Sequence, residues 1–166
     1  MKDTIKDQFL AVYEASADGI FRFCLFRVFD REKARDLTQE AFMRTWRVLS
    51  AGKEIENLKA FVYKVARNLI IDDSRKKKEI SLEQLLEKNA NLPISFEENM
   101  ANKVDGKMVL STLEQLEPHY REVIILRFVE ELTPSEIATV LGETPNAVSL
   151  RLNRAIKELR KLVNYD

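Results

Sequence analysis

A chain of 166 residues, 45% hydrophobic and 33% charged, has enough apolar material for one ordinary domain or two small helical ones. No apolar run approaches the ~18 residues needed to cross a bilayer, and the start, MKDTIKDQFL, lacks the layout of a signal peptide, so a cytoplasmic protein without membrane insertion is expected. One cysteine, one histidine and no glycine-rich phosphate loop argue against a zinc cluster, a nucleophilic triad or a nucleotide site, so neither a cofactor nor an enzyme is expected.

Four glycines, four prolines and the absence of strand-length alternation predict an all-α fold. Residues 1–78 read as several helices with apolar faces. Cys24, in the run IFRFCLF at helical spacing from Ile20, is expected in the core. In REKARDLTQEAFMRTWRVL (31–49), Ala34, Leu37, Ala41 and Val48, with Phe42, Trp46 and Leu49 beside them, make one face. Asp36, Glu40, Met43 and Arg47 make another. A further helix, about 57–75, is predicted to bury Leu58, Val62, Val65 and Leu69 and to leave Lys64, Asn68, Ile71 and Arg75 on one open stripe. It runs into four cations, Arg75 to Lys78.

Residues 80–105 are acidic, contain NANLP and offer only a short helical candidate begun by Ser81 and Gln84, so they read as a flexible linker. Fully extended, that stretch would span about 85 Å, more than two turns of duplex DNA. The expected organisation is two small helical domains, 1–79 and 106–166, joined by 80–105. In the second, residues 106–131 supply helices ending in PHYREVIILRFVEEL, with Val123, Ile124 and Phe128 expected to support the C-terminal helices.

Those C-terminal helices are spelled by TPSEIATVLGETPNAVSLRLNRAIKELRKL. Thr133, Pro134 and Glu136 have the spacing of a capping box with proline at the first helical position, and Gly142 suits the helix end. Thr144 and Pro145 begin a second helix three residues past Leu141, the connection length of a helix-turn-helix. On that second helix Val148, Leu152, Ala155, Ile156, Leu159 and Val163 form an apolar stripe, while Asn146, Asn153, Arg154, Lys157 and Lys161 point the other way. A recognition helix needs this arrangement: an apolar side to anchor it, amides for base edges and cations for phosphates.

Charge is unevenly placed. Residues 1–79 hold 17 Lys/Arg against 13 Asp/Glu, 80–105 hold 2 against 5, and 106–166 hold 8 against 9. With no net charge overall, long-range attraction to DNA is weak, and a larger partner is expected to hold the chain there.

The segments DLTQEAFMRTW (36–46), NLKAFVYKVARNLIIDDSRKK (57–77) and LEQLEPHYREVIILRFVEELTPSEIATVLGETPNAVSLRLNRAIKEL (113–159) together resemble the extracytoplasmic-function (ECF) group of bacterial sigma-70 factors. The resemblance implies a non-catalytic subunit that binds core RNA polymerase through the β′ clamp helices and the β flap, directs it to promoter DNA, helps open the duplex and is held in check by an anti-sigma factor. It places Asp36, Gln39 and Glu40 at the clamp helices, with Met43 and Arg47 extending that face. It places Asn57, Lys59, Asn68, Asp72 and Arg75 at the melted single strand of the -10 element, where amides, hydroxyls and cations suit unstacked bases and backbone. Asn68 matches the family's promoter-contacting Asn. Phe61 and Tyr63 invite base stacking, although Phe61 lies near the buried stripe.

For the -35 element in the major groove, Asn146 and Asn153 are the candidates for base edges, and Arg151, Arg154 and Lys157 for phosphates. Ser149 and Leu150 depart from the family's usual basic and small residues. Leu150 touches either a thymine methyl or a protein. The alternative is a dimeric helix-turn-helix regulator that binds duplex DNA at paired half-sites without a sigma role.

Overall fold

The computed structural model describes residues 2–78 and 106–164, and side chains from Asp3 to Lys77 and from Ser111 to Asn164. The expected linker, with its helical candidate at Ser81 and Gln84, lies outside the described residues. The chain divides into two compact units, and every described element of regular structure is helical.

The first unit holds α1 (Lys2–Val28), α2 (Arg31–Ser50) and α3 (Leu58–Lys78), each packed on the other two. Two residues join α1 to α2. Phe29 turns the chain at φ 52°, and Asp30 caps α2 by accepting the Lys33 N–H at 3.1 Å. Asn57 does the same for α3, its Oδ1 accepting from Ala60 N–H at 3.0 Å. Between the helices lie Ile20, Phe23 and Cys24 from α1, Ala34, Ala41 and Phe42 from α2, and Ala60, Val62, Tyr63 and Ala66 from α3, all buried. The alanines let backbones approach closely, and each larger apolar side chain enclosed contributes ~1.5–3 kcal/mol. Thr45, wholly buried on the packed face, satisfies its hydroxyl on the Ala41 carbonyl at 2.8 Å. An ion pair of 2.8 Å between Lys33 and Asp73 ties the start of α2 to the end of α3.

Three details differ from the sequence expectations. On α3, Leu58 and Val65 are only half-buried, while Ala60, Tyr63, Ala66 and Ile70 join Val62 and Leu69 inside. A helix packed against two partners buries a wider arc than a single stripe. Tyr63 is therefore enclosed, edge-on to Phe23 at 5.7 Å, and is not available to stack on a base. Trp46, placed on the buried face by periodicity, is 39% exposed and lies edge-on to Phe9 at 5.2 Å.

The second unit holds α4 (Gly106–Gln115), α5 (Pro118–Ile124), α6 (Pro134–Leu141) and α7 (Pro145–Val163). Arg121 of α5 closes the end of α4. Its Nε donates to Leu113 O at 2.7 Å and one terminal nitrogen donates to Glu114 O at 2.9 Å and Leu116 O at 3.0 Å. Those carbonyls would otherwise lack partners at a helix end.

After Ile124 the helix widens into a π turn, Ile125–Val129, closed by Glu130 N–H on Ile125 O at 2.9 Å. Val123 and Ile124 are buried beneath the helix-turn-helix, as expected. Phe128 is not. The wider turn carries it outward, leaving it 56% exposed, and Leu126 and Leu132 fill the core instead. Val163, at the end of the predicted stripe on α7, is also exposed, whereas Val148, Leu152 and Ala155 are buried.

Candidate nucleic-acid interface

The helix-turn-helix is built by local chemistry. Thr133 Oγ1 accepts from Glu136 N–H at 3.2 Å, and Glu136 Oε1 accepts from Thr133 N–H at 3.1 Å, completing the capping box. Gly142 ends α6 in the left-handed region at φ 68°, where a side chain would be strained. Thr144 then caps α7 through Ala147 N–H at 3.2 Å. Pro134 and Pro145 occupy the first positions of α6 and α7.

With Val148, Leu152 and Ala155 turned inward, α7 presents Asn146, Ser149, Leu150, Asn153, Arg154 and Lys157 on its open surface. Its 19 residues form a rod about 28 Å long, of a width that a major groove admits. Arg154 and Lys157 have no ion-pair or hydrogen-bond partner among the described residues, whereas Lys161 donates to Glu158 at 3.2 Å. Leu150 is 58% exposed at the middle of this surface. Arg151 is different. It is half-buried and bound to Glu143, a turn residue that belongs to none of the sequence motifs.

On α3 the structure brings together Asn68, Asp72 and Arg75, all exposed within two turns, with Lys64 extending the row. Asn57 stands before the helix with its carbonyl engaged in the cap. Lys59 is half-buried and, nine residues from Asn68, faces about 180° away, so it does not belong to that row. Asp73 is committed to Lys33.

On α2, Asp36, Gln39, Glu40, Met43 and Arg47 share one face. Asp36, Gln39, Met43 and Arg47 are exposed, and Glu40 accepts from Arg44 Nε at 2.9 Å. Gln39, Met43 and Arg47 also line a groove of about 630 Å³ against α1, floored by Phe9, Leu10, Tyr13, Phe42 and Trp46 and edged by Lys6. The α1 contribution is invisible in the sequence because nothing there pairs α1 with α2. Leu10, Tyr13, Met43 and Trp46 remain substantially exposed.

Away from these surfaces, Cys24 is sealed in the core. Burial pushes its thiol up to about 12, against smaller opposing effects of a hydrogen bond with Thr38 and the charge of Arg27. The expected core role holds. Among the described residues no group of side chains is placed to hold a metal ion, and no helix is long and apolar enough to cross a membrane.

Two assemblies of short capped helices and long packed ones, bearing open amide and cation rows, define a helical DNA-binding protein of two units. Residues 12–80 match Sigma-70 region 2, and residues 107–159 match Sigma-70, region 4. The ECF RNA polymerase sigma factor SigM of Bacillus subtilis is 30% identical over 155 residues, covering 92% of this chain and 93% of SigM. The ECF RNA polymerase sigma factor BldN of Streptomyces coelicolor is 28% identical over 164 residues, which cover 96% of this chain and 62% of BldN's length. The sigma factor RpoE, solved in complex with the anti-sigma factor NepR from Bartonella quintana, shares the fold with a TM-score of 0.68 at 20% identity, covering 100% of this chain and 99% of RpoE. The chain belongs to the ECF sigma factors of the sigma-70 family. Its field of action is transcription initiation, and a dimeric regulator would leave residues 12–80 without a role.

Proposed function

We propose that this chain is a non-catalytic subunit that binds core RNA polymerase and selects promoters, with residues 1–79 and 106–166 as its working domains joined by 80–105. Gln39, Met43 and Arg47, with Asp36 and Glu40 on the same face, dock on the β′ clamp helices, and the second domain meets the β flap. The neighbouring groove adds apolar surface to the polar contacts, as a helical partner needs. The row Asn68, Asp72 and Arg75 holds the melted -10 strand, with Asn57 beside it and Lys59 reaching the backbone from the other flank. Asn146 and Asn153 read base edges of the -35 duplex, Ser149 and Leu150 lie between them, and Arg154 and Lys157 neutralise phosphates.

The observation that carries this reading is the presence in one chain of both sigma regions, each with its expected polar row facing solvent. Supporting an anti-sigma factor as a further partner are the RpoE–NepR complex and the open apolar groove on α1 and α2, which such a protein would cover in competition with polymerase.

The test is to mix the purified chain with core polymerase and genomic DNA fragments and to map transcript starts. New, discrete starts are expected, and their absence sinks the proposal. Asn68→Ala should impair promoter opening, read by permanganate reactivity of unpaired thymines, far more than polymerase binding. Equal loss of both would make Asn68 a structural residue.

A further inference from the structure

Glu143 lies in the turn between α6 and α7, and its backbone N–H closes the α6 end on Ala138 O at 3.0 Å. Its side chain does something separate. Oε1 accepts from a terminal nitrogen of Arg151, two turns into α7, while Oε2 is buried with no hydrogen-bond partner among the described residues. Both side chains are mostly shielded, at 29% and 25% exposed. A carboxylate so placed is compensated chiefly by the guanidinium, and neither group gives up the other cheaply.

Arg151 sits one turn before Arg154 along the same edge of α7, so by sequence position it should join the cations that neutralise phosphates. Its charge is cancelled instead. Arg154 and Lys157 carry no such partner.

We infer that Glu143 is a positioning residue of the recognition helix: it anchors Arg151 to the turn and withdraws that cation from the DNA backbone. The pair fixes α7 against the turn, and the duplex meets one positive charge fewer than the sequence offers. The inference rests on the proposed reading of α7 as the duplex-binding helix. With Arg151 withheld, less of the binding comes from sequence-independent attraction, and the amides Asn146 and Asn153 carry a larger share of the discrimination.

The experiment uses the full chain assembled with core polymerase and measures promoter binding against salt concentration for wild type, Arg151→Ala, Lys157→Ala and Glu143→Gln, together with thermal unfolding of each variant and of the Glu143→Gln/Arg151→Ala double variant. Lys157→Ala should reduce the salt slope by about one unit, Arg151→Ala should leave it unchanged, and Glu143→Gln, which frees the guanidinium, should steepen it by about one unit. The two pair variants should lower the melting temperature by less in combination than the sum of the single effects. A purely structural role for Glu143 would leave the slope of Glu143→Gln at the wild-type value, and that result overturns the inference. So does a loss of slope in Arg151→Ala equal to that in Lys157→Ala, or additive melting shifts. Failure of the underlying reading looks different: Lys157→Ala and wild type would then share one slope, or neither would bind promoter DNA.

Discussion

The two units solve the same problem, fixing helices in place, by opposite means. The first uses helices of 27, 20 and 21 residues that bury aromatic rings and alanines between them. The second works with helices of 10, 7 and 8 residues before its single long one. Isolated helices shorter than about 12–15 residues are marginal in water. Short helices therefore depend on their ends, and it is in the second unit that the capping box, the left-handed glycine and the three-carbonyl contact of Arg121 occur. Packing specifies the first unit; termini specify much of the second.

The strongest challenge to that contrast is Phe23→Ala. Phe23 is fully buried against Tyr63, so truncation should cost ~3–5 kcal/mol in urea unfolding, with amide exchange accelerated throughout α1, α2 and α3. A loss below ~1 kcal/mol would mean that packing is not what holds the first unit. A sharper comparison comes from the caps. Thr133→Ala should cost ~1 kcal/mol and strip exchange protection from α6 as a whole, while Asp30→Ala should fray only the first turn of the much longer α2. Equal spread of the damage in both helices would erase the distinction between the units.

The smallest effect belongs to Cys24. Its thiol ionises at about 12 in the folded chain against 9.0 when exposed, so the unfolded state releases the proton first. This contribution to stability is intact below pH 9.0 and falls away as pH rises from there toward about 12. Near neutral pH nothing should change, and iodoacetamide should label Cys24 only after unfolding. Rapid labelling of the native protein would show that the core around it opens readily.

Much of this was legible in the sequence because it is local. Thr133, Glu136, Gly142, Thr144 and the two prolines act on neighbours within four residues, and both helices of the helix-turn-helix appear where those signals put them. The open row of Asn68 and Arg75 and the outward face of α7 follow from helical periodicity alone. What escaped depends on partners far along the chain or on a change of period. The arc buried on α3 widened because two helices, not one, cover it. Phe128 turned outward because a π turn interrupts the α-helical count. Arg151 looked like a phosphate contact because its partner sits eight residues away, across a turn, where the periodicity of one helix has no reach. The apolar groove required knowing that Leu10 and Tyr13 lie beside Met43 and Trp46.

The widened turn at Ile125–Val129 has an evolutionary consequence. A π turn accommodates a surplus residue within a helix, the usual outcome when an insertion is absorbed without shifting everything downstream. Here the surplus surfaces near Phe128, while Leu126 and Leu132 keep the interior filled. Descendants of this chain are thus at liberty to change that ring, its size or its polarity, with little penalty in foldedness, which makes the position a place where new binding habits can be tried.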